Sequence, residues 1–155
     1  MIAAVYDCMI YVQAALSRRG AAYACLTLAE DKRVALFLCP AILNEIKETL
    51  DRPSFRRKYS KLTDERVSIL LGRVAQLGNL SANPPHMFSL PRDPKDETYL
   101  NLAIMSQVPF LVSRDKDLLS LMDEAEFRKT YPGLTILEPG AFLDHVRTHM
   151  GQQKA

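Results

Sequence analysis

Asp7, Glu45, the adjacent Asp96 and Glu97, and Asp115 each stand where an apolar stretch meets polar chain. Carboxylates delivered from separate elements to one rim of a sheet make an oxygen-donor site for a hard divalent cation. Two of these positions show the pattern most cleanly. Ile2-Ala3-Ala4-Val5-Tyr6 reads as a short buried strand that runs into Asp7, and Pro109-Phe110-Leu111-Val112 is another that leads through Ser113-Arg114 to Asp115. Both acids therefore fall just past the C-terminal end of a strand. In an open parallel sheet those ends share one edge, and the crevice there binds ligands. Asp7 could instead cap the helix after it, and Asp115 or Asp117 the helix that begins near Leu118. Capping alone must then account for the same geometry several times over.

The elements that would position these side chains alternate along the chain. After the first strand a helix spans 10–19 and stops at Gly20. A second helix covers 21–32 and a strand 33–39, and Pro40 then opens a helix to about 52 at a position where its missing N–H does no harm. Thr63 is a suitable N-cap for a helix that ends near Gly78. Residues 79–94 read as loop with a short strand around Met87-Phe88-Ser89. Asp96 begins a helix through Gln107, followed by the strand 109–113, short helices to Lys129, a strand 134–137 and a helix after Pro139. Strands separated by helices predict an α/β protein, a single three-layer α/β/α domain with a central parallel sheet. We expect the domain to span 1–145 and a C-terminal tail 146–155. In helix 40–52, Ile42, Ile46 and Leu50 make the apolar stripe, and Glu45 lies at its edge, where a surface role is the simpler reading from the helix pattern alone. Asp96 and Glu97 share a first turn, where the helix macrodipole favours negative charge. Asp96 stacks on Leu100 and so points nearer the core-facing edge than Glu97, which stacks on Asn101.

At 155 residues and 48% hydrophobic the chain suits one compact domain. Its longest apolar runs are too short to span a bilayer, and no export signal opens it, so we expect a soluble, cytoplasmic protein without membrane contact. Cys8, Cys25 and Cys39 match neither a disulfide framework nor a zinc knuckle and are expected as reduced core residues. The net charge of +2 is uneven: residues 1–61 hold ten Lys/Arg against six Asp/Glu. The excess gathers in Arg52, Arg56, Arg57, Lys58 and Lys61, with Phe55 and Tyr59 interleaved. Such a stretch could follow a phosphate backbone and stack on bases, or be the solvated face of an amphipathic helix.

With those residues in place, the chain resembles the PIN-domain family, in particular its VapC-like branch of toxins from toxin–antitoxin systems. The resemblance is carried by Val5-Tyr6-Asp7-Cys8, by Pro40-Ala41-Ile42-Leu43-Asn44-Glu45-Ile46, and by Arg52-Pro53-Ser54-Phe55-Arg56-Arg57-Lys58-Tyr59. It continues through Arg92-Asp93-Pro94-Lys95-Asp96-Glu97, Phe110-Leu111-Val112-Ser113-Arg114-Asp115-Lys116-Asp117-Leu118-Leu119, Pro132-Gly133-Leu134-Thr135-Ile136-Leu137 and Ala141-Phe142-Leu143. It implies a ribonuclease dependent on Mg²⁺ or Mn²⁺, with Asp7, Glu45, Asp96 and Asp115 as catalytic carboxylates that hold the metal and Glu97 sharing the third position. Ser113 would be a supporting hydroxyl where the family often has Thr, and Arg56, Arg57 and Lys58 the candidates for RNA contact. The resemblance further implies an RNA substrate, a separate antitoxin chain as partner, and a homodimer. One departure is Met9, where the family usually has Asn. A thioether lacks the donor and acceptor with which an amide orients carboxylates, so Met9 is expected to weaken the site by about 10–100-fold if Asn acts as an outer-sphere orienter.

Met9 also motivates the alternative reading, a catalytically degenerate PIN fold that binds RNA or protein without cutting. Two other acidic-rim classes fit less well. A haloacid-dehalogenase phosphatase needs a second Asp where Met9 stands, and a receiver domain would show adjacent acids after its first strand and a Lys after its last. His145 and His149 are spaced i, i+4, but no Glu follows His145 and no third ligand is evident, so they are expected as a surface pair. His86, in a Pro-rich loop, carries no signal.

Overall fold

The computed structural model describes residues 1–90 and 96–153. Arg92, Asp93, Pro94 and Lys95 of the motif quoted above lie outside the described residues, as do Lys154 and Ala155. The strands are β1 (Ile2–Tyr6), β2 (Val34–Leu38), β3 (Gly78–Leu80), β4 (Phe110–Val112) and β5 (Thr135–Leu137). They form one sheet in the order β3-β2-β1-β4-β5, and every neighbouring pair is parallel. The chain builds outward from β1 in one direction through β2 and β3, then returns to the other side of β1 for β4 and β5. The strand order therefore switches between β1 and β4, the place where a parallel sheet opens a crevice beyond its C-terminal ends.

Burial follows from this position. Ala4, Val5 and Tyr6 of the central strand are all fully buried, so β1 lacks the alternation of a half-exposed strand. Helices α1 (Cys8–Leu16), α2 (Ala21–Glu30), α3 (Pro40–Leu50), α4 (Pro53–Lys58), α5 (Asp64–Leu77), α6 (Glu97–Ser106), α7 (Lys116–Leu119), α8 (Ala125–Thr130) and α9 (Pro139–Gln153) flank the sheet. This is the expected three-layer α/β/α architecture. Helix α6 packs on β1, β2 and β4, while α2 packs on β2 and against α9. Tyr6 links β1 to these helices: its hydroxyl donates to the Cys25 carbonyl at 2.9 Å and its ring meets Phe142 edge-on at 5.8 Å. Local chemistry sets the helix starts. Asp7 caps α1, Pro40 occupies the first turn of α3, and the Thr63 hydroxyl accepts from the Arg66 amide at 3.2 Å.

Two boundaries differ from the sequence expectation. The strand anticipated around Met87-Phe88-Ser89 is irregular chain, and the sheet instead takes Gly78–Leu80, where the preceding helix was expected to end. The amides of Met87 and Phe88 bond to the Asn101 side chain, at 3.2 and 2.8 Å, rather than to a neighbouring strand. At Gly78 the backbone passes so near β2 that an added Cβ would lie 2.1 Å from Leu38 Cδ1. Helix α9 continues unbroken past residue 145, where the domain was expected to give way to a tail, and Val146 is fully buried. Among the described residues no helix is long and apolar enough to cross a membrane.

Candidate active site

The strand register brings the first and last carboxylates together. Tyr6 of β1 pairs with Val112 of β4, and the Asp7 amide donates to the Val112 carbonyl at 3.1 Å, so Asp7 and Ser113 leave the sheet side by side. Ser113 is fully buried and joins the two acids: its hydroxyl donates to Asp7 Oδ2 and accepts from the Asp115 amide at 3.0 Å. Asp7 Oδ1 accepts from the Ile10 amide at 3.2 Å, and Asp115 Oδ1 accepts from the amides of Asp117 and Leu118 at 2.9 and 3.1 Å. Capping and a shared rim, weighed as alternatives in the sequence, thus coexist. Each Asp uses one oxygen to start a helix while standing at the switch point.

Burial leaves its mark on Asp7, which is 5% exposed. Desolvation raises its carboxyl pKa above the usual value; the bonds from Ser113 and from the Ile10 and Met9 amides pull it down in part, and the nearby charge of Asp115 adds to the rise. A group that is costly to ionise in this way is stabilised by a cation. Glu45 approaches from α3. It is half-buried rather than a plain surface residue, and its Oε2 accepts from the hydroxyl of Tyr99, a buried residue of α6. Burial first, then the bond to Glu45, holds the Tyr99 phenol far above its ordinary range, so it remains a donor at any working pH.

Asp96 sits at the N-cap position of α6, half-buried, without capping the helix through its side chain. It lies one turn before Tyr99 along the chain. Glu97 does different work. Its Oε1 accepts from the Leu90 amide at 2.8 Å and its Oε2 faces His86 Nδ1 at 3.4 Å, so it ties down the chain before α6 together with Asn101.

Among the described residues no three His, Cys, Asp or Glu side chains stand close enough together to form a ready ligand set. The donors grouped about Asp7 nonetheless suit a hard cation, because they are oxygens. The softer neighbour is Cys8. Burial pushes the Cys8 thiol up to about 11, against a weak opposing bond to Thr49, and the charges of Glu45 and Asp7 add to the rise. Cys25 and Cys39 are likewise buried and free.

The basic stretch lies elsewhere. Helix α3 begins at the rim, just beyond β2, and its 11 residues carry the chain roughly 16 Å before α4 starts. Arg56 is consumed internally: Nε donates to the Leu50 carbonyl at 2.7 Å, Nη1 to the Leu62 carbonyl at 2.9 Å, and the guanidinium pairs with Asp51 and Asp64 at 2.7 and 2.9 Å. Arg57 and Lys58 are exposed. Lys58 borders a cleft of about 800 Å³ whose rim also holds Arg18, Lys61, Arg66 and Arg73, over a floor that includes Leu26 and Leu70. His145 and His149 stack with ring centroids 4.1 Å apart, and Phe110, in β4, lies 4.6 Å from His145.

Comparison with known proteins fits this geometry. The PIN-domain family model matches residues 3–117, a span that includes Asp7, Glu45, Asp96, Ser113 and Asp115. The chain belongs to the PIN-domain family. This PIN domain is 27% identical over 128 residues to the uncharacterized protein MJ1680 of Methanocaldococcus jannaschii, covering 83% of this chain and 80% of that one. Its fold matches a chain of VapBC2 from Rickettsia felis, solved bound to a promoter DNA fragment, with a TM-score of 0.57 and 14% identity over 88% of this chain and 98% of that one. It also matches PAE2754 from Pyrobaculum aerophilum, with a TM-score of 0.57 and 17% identity over 95% of this chain and 90% of that one. At such identities the solved structures speak for the PIN fold itself.

Proposed function

We propose that the protein is a Mg²⁺- or Mn²⁺-dependent endoribonuclease, the toxin of a toxin–antitoxin pair that acts in the cytoplasm as a homodimer. The observation that carries the reading is the union of Asp7 and Asp115 through the buried Ser113 hydroxyl at the switch point of a PIN sheet. In this reading Asp7, Glu45, Asp96 and Asp115 hold the cation, and Glu97 serves the fold rather than the metal. A divalent cation bound there supplies Lewis acidity and charge neutralisation for phosphodiester hydrolysis. The chain's own residues do the rest: Ser113 fixes the direction of Asp7, and the two caps fix the helices from which the carboxylates project. Arg57, Lys58 and Lys61 supply the phosphate contacts. The cleft beside them is suited to an antitoxin segment with an apolar face and acidic flanks, since Leu26 and Leu70 line it together with Arg18, Lys58, Lys61 and Arg66, while Arg73 is already paired there with Glu30.

Cleavage of mixed RNA, with and without Mn²⁺, beside an Asp7→Ala control, tests the proposal. Metal-dependent cleavage abolished by the substitution is the expected result. Equal background in every lane, from folded protein with several metals tried, overturns it. A second reading, a degenerate PIN module that binds without cutting, is favoured by one observation. Met9 lies 42% exposed in the first turn of α1, beside Asp7, and offers the rim no amide.

A further inference from the structure

We infer that Tyr99 is a positioning residue for the acidic rim: its buried hydroxyl fixes the Glu45 carboxylate and thereby sets the rim's affinity for a divalent cation. The inference rests on the reading of Glu45 as a ligand and adds to it a residue outside the acidic set.

Tyr99 is 1% exposed and sits on α6, the helix that packs against β1, β2, β4 and α3. A buried phenol needs a partner for its hydroxyl. The partner here is a carboxylate 54 positions away in the chain, so the contact is a product of the fold rather than of local sequence. Glu45 gains more from the contact than Tyr99 does. A half-buried Glu on the edge of an amphipathic helix has several rotamers open to it, most of which lead into solvent. A donor anchored in the core selects one of them in advance of any cation, and outer-sphere partners of this kind typically tune metal affinity by about 10–100-fold. Two polar neighbours of Glu45 among the described residues are engaged elsewhere. Asn44 Nδ2 donates to Glu48, not to Glu45, and the Cys8 thiol is engaged with Thr49. Ser113 and the Ile10 amide hold Asp7, and Tyr99 supplies the corresponding fixed donor to Glu45.

Mn²⁺ titration followed by electron paramagnetic resonance on wild type, Tyr99→Phe, Glu45→Gln and the double variant reads the role directly, without cleavage. We expect Y99F and E45Q each to weaken Mn²⁺ binding by about 10-fold, with the double variant no weaker than E45Q. A folding defect in Y99F would weaken binding in the E45Q background as well, so the double variant separates lost positioning from lost structure. Wild-type affinity in Y99F, with E45Q weakened, overturns the inference and leaves Glu45 as a ligand. Wild-type affinity in E45Q removes the underlying reading of Glu45, and the inference falls with it. A lowered melting temperature in Y99F without a change in Mn²⁺ affinity assigns Tyr99 to packing alone and also counts against it.

Discussion

Burying Asp7 makes its charge expensive, and Ser113 with the Ile10 and Met9 amides offsets only part of that expense. An acid whose pKa is higher in the folded state holds its proton more tightly there than in the unfolded chain. Its contribution to stability is therefore complete below the unfolded value of 3.8 and is lost as pH rises through the higher folded value. At neutral pH, without metal, Asp7 is a destabilising residue. Asp7→Asn retains an N-cap and removes the buried charge, so it should raise the metal-free melting temperature at pH 7 by about 2–4 °C, the equivalent of roughly 1 kcal/mol in a chain this size. The same substitution should abolish cleavage. Calorimetry at pH 7 and pH 4 checks the sign, since the gain should shrink at the lower pH. Met9→Asn is the complementary test: exposed and in the first turn of α1, the position accepts an amide without disturbing the core. Tighter Mn²⁺ binding, by about 10-fold or more, is expected on a titration of the variant.

Elements rather than single side chains decide how the rim is framed, and here the sequence was legible in some places and silent in others. Asp7, Ser113 and Asp115 could be placed because each follows a short apolar strand, a punctuation that any chain entering a parallel sheet displays. Strand β3 escaped notice because Gly78-Asn79-Leu80 has one apolar residue and no alternation; it is specified by Leu38 across the sheet, where only a glycine fits. Gly78→Ala should destabilise the fold by about 1–3 kcal/mol, because Leu38 Cγ would stand 2.7 Å from the new Cβ and Leu38 is fully buried. Urea unfolding measures this. The segment before α6 was misread as a strand for a related reason. Its backbone is satisfied by Asn101 and Glu97, side chains whose helical spacing was visible but whose partners were not. Asn101→Ala leaves two amides and a carbonyl without those bonds and should open residues 86–90 to limited proteolysis well before global unfolding.

Across the whole molecule charge is polarised, with carboxylates at the C-terminal edge of the sheet and basic side chains at the far end of α3. A count of charges found the basic stretch but could not tell Arg56, spent on four internal partners, from the exposed Arg57 and Lys58. Nor could it see that Tyr99 meets Glu45, since contacts between distant helices leave no local signature. If RNA tracks the basic end, the double variant Lys58→Glu/Lys61→Glu should bind RNA more weakly and flatten the dependence of log affinity on log salt by about 1.4, near 0.7 for each lost phosphate contact. Its Mn²⁺ affinity should be unchanged, which filter binding and metal titration together would establish. The three buried cysteines have a further consequence. Cys8 lies beneath the rim, Cys25 under α9 and Cys39 at the start of α3, and none is reachable by a bulky thiol reagent in the closed molecule. Each is a native clock for the breathing of its own region, and the labelling rate at Cys8, compared with the other two, reports how often the acidic edge comes apart while the rest of the protein stays shut.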